Sequence, residues 1–354
     1  MGKAAYFIVV LVVVALATEA GVRGLGLAPP LPDAWIPYST APHLVWGPTP
    51  GSQVQGLAPT GEFRFDLQHN RWGFRDREHP LAKPAGSYRI LGLGDSYTYG
   101  WGADFEETYL RRLELLLAES QPAARIEVVK AGVARFFPEP ERMLLDTLGR
   151  ELRPDLVIVG FIPNDVLDTC LGLDAVGVGA DGALVNQPSA NFGPVGLALY
   201  RHSHAARILL RAWSSANIFR RCGDFAAVYS DDGPYEAHWR QVEEEFERMA
   251  AIASELGARL LVVNIPDLPP WDERRAYPGR RLGNWAARQG IAFLDLLPAM
   301  RAAAAADPAP LYWARDPHCT PRGYATIAAA IASYLEASGW LPSGATAATD
   351  PPAG

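Results

Sequence analysis

The sequence predicts an α/β fold, a parallel sheet covered by helices on both faces. Short apolar runs alternate with amphipathic stretches from residue 89 onward. The runs are continuously apolar, as strands buried on both faces require. Each is separated from the next by enough chain for a crossover helix.

Arg89-Ile-Leu-Gly-Leu is the first strand, closed by Gly94 and followed by helical periodicity over Glu106–Leu117. Ile126-Glu-Val-Val-Lys-Ala131 is the second, with a helix over Glu139–Glu151. Asp155-Leu-Val-Ile-Val-Gly160 is the third and clearest, a run dominated by β-branched residues. A helix over Glu236–Leu256 leads to the fourth strand, Arg259–Asn264, and Ile291–Asp295 is the fifth. The closing helix spans Pro321–Ala337, its proline in the first turn, where a missing N–H costs nothing.

The flanks differ in character. Ala4–Ala17 is apolar throughout behind Lys3, about fourteen residues against the ~20 that usually span a bilayer. Residues 1–22 therefore read as a cleaved signal peptide or a short anchor, with Lys3 inside and the remainder extracytoplasmic, periplasmic or secreted. Residues 23–84, rich in proline and glycine, read as a linker and irregular surface wrap. The catalytic-type domain is expected over 85–340, with residues 166–235 breaking the rhythm as an insertion, either a lid or a passive excursion. Leu197–Arg221 is a helix within it, and the tail 341–354 reads as disordered.

Of 354 residues, 49% are hydrophobic and 20% charged, with a formal net charge of −7. That balance excludes a nucleic-acid partner, whose phosphates demand a basic face. Cysteines stand at 170, 222 and 319 without metal-ligand spacing, so neither a metal nor a cofactor is expected. In an exported chain Cys170 and Cys222 either pair or remain free thiols, and Cys319 is left over. His202 and His204 lack a carboxylate at ligand spacing and read as ordinary helix residues.

Gly94-Asp95-Ser96-Tyr97-Thr98 turns from the first strand into a helix, which exposes Ser96 at the carboxyl edge of the sheet. A serine needs a base within hydrogen-bond reach to act as a nucleophile. Asp316-Pro317-His318, just before the closing helix, offers an imidazole with a carboxylate two residues away to hold one ring nitrogen. An oxyanion needs donors. The side chain of Asn164, the backbone N–H of Gly132 and that of Ser96 all follow predicted strands. Asp165 reads as support for the Asn164 loop. Trp313, three residues before Asp316, is placed to line a sugar or acyl pocket.

The ordered blocks Gly94-Asp95-Ser96, Gly132, Asn164-Asp165 and Asp316-Pro317-His318 resemble those of the SGNH/GDSL hydrolase family, over roughly residues 89–335. The resemblance implies a three-layer α/β/α sandwich with a five-stranded parallel sheet. It implies Ser96 as nucleophile, His318 as base, Asp316 as its partner, and Ser96, Gly132 and Asn164 as the oxyanion hole. Asn70-Arg-Trp-Gly-Phe-Arg75 and the apolar N-terminus are similar to exported bacterial members, some acting on acetylated polysaccharides. The third block departs from the usual Gly-x-Asn-Asp, reading Ile162-Pro163-Asn164-Asp165. In the second, Ala134 stands where a further glycine is common.

The expected protein is a serine esterase that removes a short acyl group, acetyl above all, from a carbohydrate or cell-envelope ester, tethered or exported through residues 4–18. The rival readings are a carbohydrate O-acyltransferase with the same residues and a non-catalytic, membrane-tethered polysaccharide-binding module.

Overall fold

The computed structural model describes residues 2–342 apart from 30, 32, 33, 42, 179–181, 183, 187–192 and 232; most of the tail expected to be disordered lies outside them. Helix α1 (Lys3–Gly24) opens the chain. Two antiparallel hairpins follow, β1 (Tyr38–Ala41) with β2 (Leu44–Pro48) and β3 (Gln53–Leu57) with β4 (Arg64–Gln68). The alternating core runs β5 (Ser87–Gly94), α2 (Ser96–Tyr99), α3 (Tyr109–Ser120), β6 (Arg125–Gly132), α4 (Pro138–Leu144), α5 (Arg150–Leu152) and β7 (Leu156–Phe161). After α6 (Asn164–Leu171) the insertion holds a small hairpin, β8 (Val176–Val178) with β9 (Leu184–Asn186), then α7 (Gly193–His202) and α8 (His204–Cys222). Helix α9 (Glu236–Glu255), β10 (Arg259–Asn264), α10 (Tyr277–Gln289), β11 (Ala292–Asp295), α11 (Leu297–Ala306) and α12 (Pro321–Ala337) complete it.

Strands β5, β6, β7, β10 and β11 form one parallel sheet in the order β11-β10-β7-β5-β6. The expected three-layer sandwich follows from alternation along each strand. Ile90, Val128, Ile158, Leu261 and Val263 pack under α3, α11 and α12. Leu91, Leu93, Val129, Val157, Val159 and Val262 pack under α4, α9 and α10. Helix α12 shows why a helix closes the first layer. Tyr324, Ile327, Ala328, Ile331 and Leu335 recur at three- and four-residue steps and are all buried, each large aliphatic side chain contributing about 1.5–3 kcal/mol. The chain leaves β5 first for β6 and then for β7 on its other side, so the topological switch lies at the carboxyl ends of β5 and β7.

Several expectations need correction. The 139–151 helix is interrupted: α4 passes through one π-helical turn at Leu145–Gly149 into α5. The 197–221 helix is two, broken at Ser203, whose side chain caps α8 by accepting from the Ala206 N–H. Helix α10 escaped notice because Gly279 and Gly283 weaken its propensity, yet a Cβ at Gly279 would stand 2.3 Å from Asp295 Oδ2. Helix α1 extends past the fourteen apolar residues to 22, about 33 Å long. By length and composition it can cross a bilayer. Cys170 and Cys222 are disulfide-bonded, tying α8 to α6, and Cys319 is free and buried.

Residues 38–81 are not an irregular wrap. Trp46, Phe65, Leu67 and Phe74 are buried, and the segment after β4 seals the outer strand of the sheet. Edge strand β6 presents unpaired N–H groups, which would invite foreign pairing. Here Val128 N–H donates to Glu114 (3.0 Å) and Lys130 N–H to Asp76 (2.8 Å). Asp76 also holds the buried His79 ring (2.9 Å), whose other nitrogen faces Glu127 at 3.5 Å. Fully buried Arg89 completes the cluster on Glu127 at 2.6 Å.

Burial works against a charge on His79, but the hydrogen bonds to Asp76 and Glu127 outweigh it and raise the ring to about 9. A folded-state value above the unfolded one contributes stability that is fully present below about pH 6.5 and is lost as pH rises through 9. The thermal midpoint is expected to fall over that interval, by the equivalent of up to about 3 kcal/mol. His79→Gln should flatten that part of the profile. An unchanged slope in the variant would show that the ring is not the titrating group.

Candidate active site

Ser96 is the first residue of α2, directly after β5. The capping work at this helix end is done by Asp95, whose carboxylate accepts the Tyr97 N–H at 2.9 Å. The Ser96 hydroxyl is thereby left for other partners. Its Oγ donates to His318 Nε2 at 2.7 Å, and His318 Nδ1–H donates to Asp316 Oδ1 at 2.5 Å. Because the carboxylate accepts a hydrogen bond from Nδ1–H, the proton stays on Nδ1 and Nε2 presents its lone pair to the serine.

Asp316 is the most heavily supported member. The His318 N–H donates to its Oδ1 (3.1 Å) and Trp101 Nε1–H to its Oδ2 (3.1 Å). Burial would raise this carboxyl, but the donors from His318 and Trp101 win and hold it below the ordinary carboxylate range. The loop itself is gripped from the N-terminal hairpin. The Glu62 carboxylate accepts the consecutive N–H groups of Ala314, Arg315 and Asp316 at 2.9–3.1 Å. Tyr97 packs against the His318 ring at 4.7 Å between centroids, tilted by 39°, and its hydroxyl donates to Pro317 O at 2.6 Å.

The Asn70–Arg75 segment also serves the site. Asn70 Oδ1 accepts the N–H groups of Trp72 (3.0 Å) and Phe74 (3.1 Å), closing a turn that delivers Arg75 beneath the exit of α2. There the buried guanidinium donates to Gly100 O (2.6 Å) and Ala103 O (2.8 Å).

Asn164 is the first residue of α6 and emerges beside Ser96 from the neighbouring strand. Its Nδ2 stands 3.4 Å from both Asp95 Oδ2 and Asp168 Oδ2, too long for either to consume the donor. The departure at Ile162-Pro163 is absorbed locally, since Pro163 sits at φ −56°, within its ring's range. Asp165 supports this turn, accepting the Ile162 N–H at 3.1 Å. Gly132 ends β6 with its missing side chain against α2: a Cβ there would stand 2.3 Å from Tyr99 N. Three residues on, Arg135 adopts φ 68° and its guanidinium pairs with Asp168 at 2.7 Å, next to Asn164. A non-glycine left-handed residue is strained, and such strain gathers at functional sites.

Beneath these donors lies an apolar-walled nest of acids. Glu141 of α4 is fully buried, and neither of its oxygens has a hydrogen-bond partner among the described residues. Burial, and then the nearby Asp95, push it well above the carboxylate range, so it is held protonated. Burial likewise raises Asp95. Sequence reasoning missed Glu62, Arg135 and Glu141. None carries a local signal, because the groups each of them faces are distant in the chain.

Fold and geometry together define the class, a serine hydrolase built on an α/β/α sandwich. The chain belongs to the GDSL-like lipase/acylhydrolase family, whose model matches residues 93–326. It is a serine hydrolase acting on ester bonds. No curated protein matches its sequence. Similar solved structures include TesA, at 16% identity and a TM-score of 0.43, over 72% of this chain and 99% of that one. A catalytic mutant of Axe2, an acetylxylan esterase from Geobacillus stearothermophilus, is 17% identical with a TM-score of 0.45, over 73% and 98% of the chains. A two-domain esterase active on acetylated mannans is 15% identical with a TM-score of 0.41, over 72% and 50%.

Glu62→Ala frees three adjacent amides and loosens the loop that carries Asp316. Against p-nitrophenyl acetate its kcat is expected to fall roughly 10- to 100-fold with KM changed less, the cost of sub-ångström misplacement. Glu62→Gln, which still accepts through its amide oxygen, should recover part of the loss. A wild-type kcat in Glu62→Ala would remove the grip from the account.

Proposed function

We propose that Ser96 is the nucleophile, His318 its general base and Asp316 the group that orients the base, in an esterase removing short acyl groups, acetyl above all, from carbohydrate or cell-envelope esters. The observation that carries this reading is the continuous relay of 2.7 and 2.5 Å from Ser96 through His318 to Asp316. Ser96 attacks the ester carbonyl while His318 takes its proton. The oxyanion is held by the Asn164 amide and by backbone N–H groups of Ser96 and Gly132. His318 returns the proton to the departing alcohol, then activates a water that frees the acid from the acyl-enzyme.

The half-buried rings of Trp101, Phe63 and Trp313 support a carbohydrate on the alcohol side. Phe63 stands 5.5 Å from Trp101 and 5.2 Å from Trp313, and Trp101 is bonded to Asp316 itself. Aromatic faces of this kind bury the apolar faces of sugar rings. We further propose that α1 takes the chain into a membrane with Lys3 on the cytoplasmic side. The Cys170–Cys222 disulfide supports an oxidising, extracytoplasmic location for the domain.

Hydrolysis of p-nitrophenyl acetate, butyrate and octanoate tests the reading. Activity is expected to decline with chain length and to drop at least about 10³-fold in Ser96→Ala, which should also lose fluorophosphonate labelling. Asn164→Ala should lower kcat by about 10²–10³ with less change in KM. Residual activity in Ser96→Ala near the wild-type level, or a preference for octanoate, would overturn the assignment.

A further inference from the structure

The large apolar side chains that face solvent are not spread over the molecule. Among the described residues, all but Leu57, Leu81, Leu115 and Leu268 lie on α1, between Leu25 and Trp35, or on α7 and α8. Scattered single exposures are ordinary, whereas a continuous patch marks a surface that meets something. On α7, Val195 and Leu199 stand one turn apart and are 71% and 50% exposed. On α8, Leu209, Trp213, Ala216 and Phe219 fall within roughly 120° of the helix circumference, Leu209 being 69% and Phe219 62% exposed.

Charge points the same way. The chain carries −7 overall, yet neither α7 nor α8 contains an aspartate or glutamate. Helix α8 holds four arginines: Arg207 is buried on the Tyr200, Pro29 and Arg201 carbonyls, and Arg211, Arg220 and Arg221 are exposed. An exposed apolar stripe on a helix that carries exposed arginines and no acid is the composition of a helix lying in a lipid interface.

The third observation joins these helices to α1. Glu19, in the last turns of α1, caps α8 by accepting from Ser203 Oγ (2.8 Å) and from the N–H groups of His204 and Ala205 (both 2.9 Å). Arg23 bonds Glu19 at 2.5 Å and donates to His202 O at 2.6 Å. The point where α1 ends is therefore the point where α7 meets α8.

We propose that α7 and α8 lie on the surface of the bilayer that α1 crosses, their apolar residues among the outer acyl segments and the exposed Arg220 and Arg221 at anionic phosphates. Glu19 and Arg23 lock α1 to them as a retained anchor. The inference rests on reading α1 as a membrane helix. Cleavage after Ala17 or Ala20 would either leave Glu19 on a free chain end or remove it, and in both cases destroy the clamp. The far end of α8 is disulfide-bonded to α6, whose first residue is Asn164, so the docked helix holds the candidate site at a fixed height above the lipid.

The test uses the full chain in vesicles of phosphatidylethanolamine and phosphatidylglycerol, with spin labels at Leu209→Cys, Phe219→Cys, Val12→Cys and Leu268→Cys in separate samples. Accessibility to oxygen against a nickel chelate reads depth. The labels at 209 and 219 are expected about 5–10 Å below the phosphates, that at 12 deeper, and that at 268 in water. Labels at 209 and 219 matching 268, with 12 in the bilayer, overturn the docking while leaving the anchor. A label at 12 in water overturns both. Shielding from both reagents that disappears on dilution assigns the face to a second copy and also overturns the docking. A mature N-terminus beyond Glu19, read by mass, overturns the clamp.

Discussion

A row of three glycines underlies the candidate site. Gly94, Gly132 and Gly160 stand opposite one another at the ends of β5, β6 and β7. Helix α2 is seated on them. A Cβ at Gly94 would fall 2.0 Å from Thr98 Oγ1, one at Gly160 2.8 Å from the same atom, and one at Gly132 2.3 Å from Tyr99 N. Gly94 also adopts φ 150°, which lets the chain turn from strand to helix within one residue. Close seating of α2 puts the Ser96 hydroxyl at the switch point of the sheet and hands the cap to Asp95. A side chain anywhere in this row would lift the helix and part Ser96 from His318.

The partners of Ser96 come from far along the chain, and their placement depends on contacts that do not belong to the sandwich. Asp316 and His318 sit on a loop before α12, where nothing in the loop alone prescribes a conformation. Glu62 prescribes it from one side by taking three successive amides, and Tyr97 from the other by taking the Pro317 carbonyl. Arg75 steadies the exit of α2 in the same way. The N-terminal hairpins thus complete a site whose main residues all lie after residue 90.

Electrostatics beneath the site follow from burial. Asp95, Glu141, Asp165 and Asp168 are all desolvated and all raised by that burial. Close carboxyls in an apolar setting cannot all be ionised at modest cost, and Glu141, which has no donor among the described residues, and Asp165 are raised furthest. The Arg135 guanidinium works against that rise at Asp168, and the Tyr97 N–H against it at Asp95. At the opposite edge His79 inverts the pattern, a buried ring kept charged by Asp76 and Glu127.

The sheet, its five strands and the helices α9 and α12 were legible in the sequence because buried strands and amphipathic helices advertise themselves by local periodicity. The glycine, serine, asparagine and histidine blocks were legible because each follows a strand or precedes a helix, and their order matched a known family. Only the tertiary structure decided what residues 38–81 do, since the alternation in Arg64–Gln68 marks a strand without saying what it covers, and these short hairpins gain their burial from the rest of the molecule. It alone decided the partners of Glu62 and Arg135 and the burial of Glu141 near Asp95, because a contact across tens or hundreds of residues leaves no trace in spacing. It also decided the pairing of Cys170 with Cys222 and the locking of Glu19 to α8. Local sequence carries the energy of forming an element, and the choice of neighbour belongs to packing.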